Sequence, residues 1–172
     1  MADLNLERLL RALAEAEIDF VVVGGVAVNA LGYQRYTKDL DIVYATDQAN
    51  LDALGAVLVE LNARLKGVGE DVPFVPDGRT LRGTRILTLD SDAGQIDLLV
   101  EPPGAPAYAE LKARAFTATP HGIEVLVASL EDMLSMKRAA GRGPDTIDVQ
   151  ALEVIARMTR KHPRGPRGGR SG

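Results

Sequence analysis

Apolar and polar positions along the chain switch repeatedly between helical and strand spacing. The first apolar stripe has helical spacing, follows Asp3 and Asn5 as alternative N-caps, and comprises Leu6, Leu9, Leu10, Leu13 and Ala16. The next apolar run, residues 18–23, is continuous and ends at Gly24-Gly25, which is typical of a buried strand that leads into a tight turn. The chain is therefore predicted to open with a helix that covers one face of a sheet.

The middle of the chain alternates the same two spacings. It predicts a helix over residues 26–31 that ends at Gly32, and then a strand over 39–43. A second helix should run from the N-cap Asp47 to about residue 61. A loop over 66–80 follows, and then a hairpin whose strands, 85–89 and 95–100, flank a five-residue loop. The loop over 66–80 is assigned because it contains three glycines and two prolines. Helices and strands are thus expected to interleave.

The C-terminal part is predicted to be mostly helical. It begins with a helix over residues 107–114 and strands over 116–119 and 123–127. A helix then runs from the N-cap Ser129 to residue 140, where Gly141 and Gly143 end it. The last helix covers residues 145–160. This order favours an α+β (mixed α/β) fold, with a mixed sheet flanked by helices and a C-terminal helical segment. We expect a core over residues 1–128, helices over 129–160 packed on it, and a disordered basic tail over 161–172.

Composition narrows the class of protein. A chain of 172 residues is long enough for one domain with a sizeable core. It contains no Cys, which excludes disulfides, thiolate metal sites and a Cys nucleophile. No apolar run approaches the roughly 20 residues of a membrane span, and the N-terminus lacks a basic segment followed by an apolar one. We therefore expect a cytoplasmic protein without a membrane partner.

Charge is unevenly distributed along the chain. The net charge is -4, but the last twelve residues carry four basic residues and no acid, so the first 160 carry 16 basic and 24 acidic residues, or -8. An acidic body is a poor general binder of nucleic acid, because such affinity depends on basic contacts to phosphates. The Arg/Gly/Pro tail has two interpretations, a disordered solubilising end or a segment that touches RNA.

Two carboxylates lie at i and i+2 on the second predicted strand. Side chains alternate across a strand, so Asp39 and Asp41 face one side while Leu40 and Ile42 face the core. Two carboxylates in one small site repel each other unless they share a proton or a divalent cation, and hard oxygen ligands suit Mg2+. On an exposed strand the same pair would simply be solvated.

A third carboxylate, Asp97, lies within the apolar second strand of the predicted hairpin. An Asp in such a strand is costly to bury unless it is paired or binds a metal ion. If the strands are neighbours, Asp39, Asp41 and Asp97 would hold two Mg2+ ions about 3.5 to 4 Å apart. One ion would activate an attacking hydroxyl and the other would bind a triphosphate.

The paired glycines Gly24-Gly25 stand at a strand-to-helix junction. Without side chains they would let backbone N–H groups and the helix N-terminus approach a phosphate closely. A tight turn alone is an equally good interpretation of the glycines. They form neither the dinucleotide-binding nor the P-loop motif.

These motifs together resemble the nucleotidyltransferase superfamily typified by DNA polymerase beta. The residues that carry the resemblance are, in order, Gly24-Gly25, then Gly32-x-x-Arg35-x-Thr37-x-Asp39-x-Asp41, then an isolated Asp97. Within the superfamily they are most similar to the small bacterial branch of AbiEii-type toxins and antibiotic nucleotidyltransferases. A later helical segment is also similar to that branch, Leu134-x-x-Lys137-x-x-Ala140-Gly141-Arg142-x-x-Asp145-x-x-Asp148.

The sequence departs from the family pattern at two positions. Gly25 stands where many members have Ser, whose hydroxyl helps to hold a phosphate, although Gly is also common there. Pro144 stands where a Lys commonly precedes the Asp.

The resemblance implies roles for the matching residues. Asp39, Asp41 and Asp97 would be the catalytic and metal-binding acids, with Asp97 able to accept the proton of the acceptor. The nucleotide-binding residues would be Gly24, Gly25, Arg35, Thr37, Lys137 and Arg142. Lys137 and Arg142 would contact the triphosphate, where a point charge and a forked donor suit phosphate oxygens; a solvated helix face is the alternative for Lys137.

Other polar and aromatic residues have weaker signals. Asp145 and Asp148 are interpreted as structural, either capping the last helix or pairing with Arg142. Recognition of the nucleobase would fall to an aromatic ring on Tyr33, Tyr36 or Tyr44, each of which has packing as the alternative role.

The leading hypothesis is a Mg2+-dependent nucleotidyltransferase that moves an NMP from an NTP such as ATP to an acceptor hydroxyl and releases pyrophosphate. The acceptor would be a small molecule, a protein or a tRNA. The alternative is a catalytically silent binding module of the same fold, such as one member of a toxin–antitoxin pair. The small size of the chain suggests a homodimer or an antitoxin partner that supplies the rest of the site.

Overall fold

The structure is a computed structural model that describes residues 2–69, 71–72 and 74–161. The basic tail that the sequence predicts lies outside the described residues from position 162 onward. The described helices are α1 (Leu6–Glu15), α2 (Gly24–Ala30), α3 (Gln48–Glu60), α4 (Gly78–Arg82), α5 (Tyr108–Arg114), α6 (Leu130–Ala140) and α7 (Gly143–Lys161). The described strands are β1 (Phe20–Val23), β2 (Asp39–Tyr44), β3 (Arg64–Leu65), β4 (Ile86–Ser91), β5 (Gly94–Leu99), β6 (Phe116–Ala118) and β7 (Val125–Val127).

The strands form one mixed sheet in the order β3-β4-β5-β2-β1-β7-β6. β1 pairs antiparallel with β2 and parallel with β7, and β2 pairs parallel with β5. Strands that are distant in sequence are therefore neighbours at the centre of the sheet. The predicted mixed α/β fold, a mixed sheet with helices, is confirmed.

The core lies against this sheet and follows the predicted apolar pattern. Leu40 and Ile42 on β2 are fully buried, as are Leu9, Leu10 and Leu13 on α1. Of the two predicted N-caps of α1, the structure uses Asn5, whose side chain accepts a hydrogen bond from the backbone N–H of Arg8 at 3.0 Å. No helix within the described part of the chain has the length and apolar character needed to cross a membrane.

Two predicted helix starts differ from the structure. α2 begins at Gly24 rather than at residue 26, because Gly24 has a φ of +68° and completes the turn out of β1 in one residue. α7 begins at Gly143 rather than at residue 145, so Gly143 does not separate the last two helices. Pro144 then lies in the first turn of α7, where its missing N–H costs no helical hydrogen bond.

The predicted loop over residues 66–80 is partly wrong, since α4 begins inside it at Gly78. The Asp77 side chain accepts a hydrogen bond from the backbone N–H of Thr80 at 2.8 Å and so caps α4. Leu81 is fully buried within α4, which packs on α3. Tertiary packing thus makes a helix of a segment too short and glycine-rich to predict.

The predicted hairpin is present, but its turn is shorter than five residues. Ser91 and Gly94 pair with each other across β4 and β5, which leaves Asp92 and Ala93 as the turn. The Ser91 hydroxyl donates to the carbonyl of Gly94 at 2.7 Å and accepts from the backbone N–H of Ala93 at 3.1 Å. This side chain closes the turn and extends both strands toward it.

Candidate active site

The three predicted acids come together at the centre of the sheet. The parallel register of β2 and β5 places Asp41 beside Asp97 and Asp39 beside Gln95. One carboxylate oxygen from each of Asp39, Asp41 and Asp97 lies within 4.8 Å of the others. We call these three residues the acidic cluster.

Gln95 links two members of the acidic cluster, a role that we did not predict from the sequence. Its Nε2 donates to Asp39 Oδ2 at 3.2 Å and to Asp97 Oδ1 at 3.1 Å. The ammonium group of Lys66 in turn donates to Gln95 Oε1. The two-residue spacing between Gln95 and Asp97 places both on one strand face and is the sequence signal that would have identified Gln95. Lys66 has no comparable signal, because it lies in the predicted loop.

The acidic cluster is electrostatically unfavourable without a counterion. Burial, followed by the negative charge of Asp39 and a hydrogen bond with Asp97, raises the pKa of Asp41 from 3.8 to about 8. Burial and the charge of Asp97 also raise the pKa of Asp39. At pH 7 the Asp41 carboxyl therefore retains a proton, which a divalent cation would displace.

Gly24 lies in direct contact with Asp41. A Cβ at position 24 would lie 1.9 Å from Asp41 Oδ2, and the φ of +68° is itself unfavourable for residues with side chains. Both constraints require glycine at this position. The turn after β1 is therefore shaped by the acidic cluster as well as by the path of the chain.

Gly25, Arg35 and Thr37 also lie close together. A Cβ at Gly25 would lie 2.8 Å from Thr37 Oγ1 and 3.0 Å from Arg35 Nη2. The Asn29 side chain fixes the loop by donating to the Arg35 carbonyl at 3.0 Å and accepting from the Arg35 N–H at 3.0 Å. A hydroxyl, a guanidinium and the start of α2 are thereby held together at one place.

Lys137 and Arg142 belong to a chain of ion pairs with the two acids of α7. Lys137 Nζ lies 3.0 Å from a carboxylate oxygen of Asp145 and 3.0 Å from one of Asp148. Arg35 Nε lies 3.0 Å from Asp148, and Arg142 Nε lies 3.0 Å from Asp145. We call these five residues the ion-pair network. It joins the loop before β2 to α6 and α7.

The ion-pair network shows what Asp145 and Asp148 contribute. The predicted pairing of Asp145 with Arg142 is confirmed, and Asp145 also accepts a hydrogen bond from the Arg142 backbone N–H at 3.3 Å at the start of α7. Burial would raise the pKa of Asp145, but hydrogen bonds from Lys137 and Arg142 outweigh burial and lower it. Asp148 does not pair with Arg142; it contacts Arg35 and Lys137 instead.

Two cavities meet at the acidic cluster. The first, which we call the polar cavity, has a volume of about 470 Å³ and is lined by Gly25, Arg35, Tyr36, Thr37, Lys38, Asp39, Asp41, Lys66, Gln95, Asp97, Lys137, Arg142, Pro144 and Asp145. It contains every residue that the sequence assigned to the site except Gly24. Tyr36 stands at this cavity with 81% of its surface exposed, whereas Tyr44 is buried and Tyr33 is half-buried.

The second cavity, which we call the apolar groove, has a volume of about 440 Å³. It shares Asp41, Asp97, Lys137, Arg142 and Asp145 with the polar cavity. Its other lining residues are Val23, Gly24, Ile86, Thr88, Leu99, Pro102, Pro103, Met133, Met136 and Ala140. The acidic cluster therefore borders both a charged cavity and a largely apolar one.

The donor set of the acidic cluster fits a hard divalent cation. Three carboxylates provide oxygen ligands of the kind that Mg2+ prefers, at separations that one ion can bridge. Lys66, Arg35 and Lys137 offset burial and mutual repulsion only in part, so the pKa values of Asp39 and Asp41 remain raised. The residues present are thus suited to bind Mg2+.

Comparison with protein families identifies one match. The sequence profile of the family described as nucleotidyl transferase AbiEii toxin, type IV toxin–antitoxin system, matches residues 8–146. The match covers the acidic cluster, Gly24-Gly25 and most of the ion-pair network. No functionally curated protein matches the chain.

Solved structures share the fold at low sequence identity. The lincomycin-bound lincosamide antibiotic adenylyltransferase LnuA aligns with a TM-score of 0.62 at 14% identity, over 90% of this chain and 99% of that chain. ANT(2")-Ia in complex with adenylyl-2"-tobramycin aligns with a TM-score of 0.53 at 17% identity, over 91% of this chain and 95% of that chain. An antigenic nucleotidyltransferase-like protein from Paracoccidioides brasiliensis aligns with a TM-score of 0.50 at 21% identity, over 94% of this chain and 92% of that chain. The resemblance drawn from the sequence motifs is confirmed.

Proposed function

The chain belongs to the AbiEii nucleotidyl transferase family, and on that premise we propose that it transfers an NMP from an NTP to an acceptor hydroxyl. The observation that carries the proposal is the acidic cluster, in which three carboxylates from β2 and β5 lie within 4.8 Å of one another beside a cavity rich in cations. Like charges are brought together in this way where a divalent cation and a polyphosphate bind.

The proposed reaction forms one bond to the α-phosphorus and breaks another. The oxygen of the acceptor hydroxyl attacks the α-phosphorus of the NTP, and the bond between the α-phosphorus and the bridging oxygen to the β-phosphate breaks. Pyrophosphate leaves, and Asp97 accepts the proton of the acceptor hydroxyl. Mg2+ bound by Asp39, Asp41 and Asp97, in one or two ions, would supply charge stabilisation at the reacting phosphate.

The residues of the polar cavity would bind the triphosphate. Arg35 keeps one edge of its guanidinium on Asp148 and presents Nη2 beside Gly25. Lys137 uses two carboxylate contacts and retains one of its three N–H donors. The backbone N–H groups at the start of α2 complete the set of donors for phosphate oxygens. The Thr37 hydroxyl instead donates to the Asp39 carbonyl at 3.1 Å and holds the loop in place.

Family membership also bears on partners and location. The family is described as part of a type IV toxin–antitoxin system, so the proposal includes an antitoxin that opposes the activity of this chain. A catalytically silent binding module of the same fold is disfavoured by the acidic cluster, whose three acids are all present and adjacent. We place the activity in the cytoplasm, where NTPs are available.

The direct test is to incubate the protein with α-labelled NTPs, Mg2+ and a cell extract. Transfer of label to an acceptor together with release of pyrophosphate is expected, and chelation of divalent cations is expected to abolish it. Binding of NTP without any transfer, under conditions in which the protein is folded, would instead support the silent binding module.

We expect Mg2+ to raise the melting temperature of the protein, because an ion that binds only the native state stabilises it. The increase should be smaller in Asp97→Asn, which removes one charged ligand from the acidic cluster. Differential scanning calorimetry over a Mg2+ titration measures both. An equal increase in the two proteins would assign Asp97 a packing role only. Asp52→Asn, at an exposed position on α3, serves as the control and should show the same increase as the wild type.

We expect Tyr36→Ala to weaken binding of ATP but not of inorganic tripolyphosphate. Tyr36 is exposed at the polar cavity, and the loop that carries it is fixed because Asn29 bonds both backbone groups of Arg35. Its ring is therefore placed to stack on a nucleobase, and loss of such stacking costs about 1–3 kcal/mol, which raises the Kd by a factor of about 5 to 150. Isothermal titration with Mg2+ measures both ligands, and Tyr36→Phe should bind ATP like the wild type. Equal weakening of both ligands would contradict stacking.

A further inference from the structure

The two cavities at the acidic cluster differ in the charge that they offer to a substrate. The polar cavity has Arg35, Lys38 and Lys66 in its lining, and none of these three cations lines the apolar groove. A triphosphate carries several negative charges and needs such donors. The NTP is therefore assigned to the polar cavity, which leaves the apolar groove for the other substrate.

The apolar groove has little to attract a polyanion. Its lining cations are Lys137 and Arg142, and within the described part of the chain both are paired with Asp145. Its lining also includes two carboxylates of the acidic cluster, Asp41 and Asp97. A nucleic acid depends on unpaired cations for its phosphates, so the electrostatics of the groove disfavour it.

The walls and size of the apolar groove suit a compact organic molecule. Ile86, Leu99, Pro102, Pro103, Met133 and Met136 form most of its surface. A volume of about 440 Å³ is in the range of sites for drug-sized ligands, which combine apolar walls with a few polar groups that set orientation. Thr88 on β4 is the partner of Asp97 across the sheet and also lines the groove, so a hydroxyl and a carboxylate stand side by side at its inner end.

We propose that the apolar groove is the acceptor site, and that the acceptor is a small neutral or cationic molecule with an apolar body and a hydroxyl group. This inference rests on the proposed nucleotidyl transfer. The apolar body lies against Ile86, Met133 and Met136, and the hydroxyl reaches Asp97 and Thr88. Asp97 takes the hydroxyl proton, the oxygen bonds to the α-phosphorus, and pyrophosphate departs on the side of the polar cavity. An in-line displacement requires the attacking and leaving oxygens to lie on opposite sides of the phosphorus, and two separate cavities at one acidic cluster are compatible with that requirement.

Two pairs of variants test the site. Ile86→Arg adds a charge to the apolar groove, and Val59→Arg adds the same charge on α3; both native residues are 61% exposed, so both variants should fold. Ala140→Trp fills the groove, and Ala113→Trp is its control on α5, again at two exposed positions. Melting temperatures establish that each variant is folded.

The assay supplies α-labelled NTPs and Mg2+ with a cell extract divided into a low-molecular-mass filtrate and a purified RNA fraction. The wild type, Val59→Arg and Ala113→Trp are expected to label a component of the filtrate. Ile86→Arg and Ala140→Trp are expected to reduce that labelling at least about tenfold, because an unpaired charge or a bulky ring excludes an apolar ligand. Labelling of RNA alone would overturn the inference and leave nucleotidyl transfer intact, as would full labelling of the filtrate by both groove variants. Label in the protein of the undivided extract alone would likewise overturn the inference and leave nucleotidyl transfer intact. Absence of label in both fractions and in the undivided extract would contradict nucleotidyl transfer itself, and the acceptor site with it.

Discussion

Asp41→Asn is expected to reduce nucleotidyl transfer about a hundredfold or more while the protein remains folded. The Asp41 carboxylate is proposed as a ligand of the metal that stabilises the reacting phosphate, and such stabilisation is worth several kcal/mol. The fold should survive because the pKa of Asp41 is about 8, so the native residue is already neutral at pH 7, and Asn reproduces that neutral form. Transfer of labelled NMP and thermal melting are measured on the same samples.

The same variant should differ from the wild type in how its stability depends on pH. Without metal, the pKa of Asp41 is raised from 3.8 to about 8 on folding, so the stabilising contribution of its proton is fully present below about pH 4 and is lost as pH rises toward 8. Asp41→Asn has no such proton to lose. The stability advantage of the variant in chelator-containing buffer should therefore grow over this range. Near-normal transfer would contradict the role of Asp41 as a metal ligand. A stability difference that stays constant with pH would contradict its raised pKa.

Asp148→Ala is expected to lower the melting temperature by roughly 10 °C. Asp148 is 1% exposed and its negative charge pairs with the positive charges of Arg35 and Lys137. Its removal leaves these two positive charges close together with one fewer carboxylate. Breaking a buried ion pair from one side costs about 3–5 kcal/mol, and each kcal/mol shifts the melting temperature of a chain of this size by about 2–4 °C. Calorimetry measures the change.

The control for Asp148→Ala is Glu153→Ala on the same helix. Glu153 pairs with Arg138 at 2.8 Å, but the two side chains are 39% and 57% exposed, so the loss should be about 1 kcal/mol or less. A similar decrease in both variants would mean that the buried contacts of Asp148 contribute no more than an exposed ion pair. Asp148→Ala should also raise the KM for NTP, because Arg35 loses the carboxylate that orients its guanidinium beside Gly25.

The sequence predicted those parts of the site that depend on local spacing. The alternation of Asp39 and Asp41 with Leu40 and Ile42 placed the acids on one face of β2, and the structure buries the two apolar residues as expected. The register of β2 with β5 is not local, and it was the family motif rather than periodicity that connected Asp97 with the other two acids. The structure then places Asp97 beside Asp41.

The features that escaped prediction depend on contacts between distant segments. Asp148 meets Arg35 across more than a hundred residues, whereas the sequence analysis considered only the nearby Arg142 as its partner. The bridge from Lys66 through Gln95 joins a predicted loop to a strand. The apolar groove is assembled from β4, β5, α6 and the Pro102-Pro103 turn, each of which has an ordinary apolar pattern on its own.

The contact of Gly25 with Thr37 and Arg35 limits what can replace this glycine. A Cβ here would lie 2.8 Å from Thr37 Oγ1 and 3.1 Å from Thr37 Cβ. Serine could enter only if Thr37 and Arg35 moved away, and the hydroxyl that it brought would then take the place of the one that Thr37 already holds there. The effect of a substitution at position 25 therefore depends on the residues at positions 35 and 37.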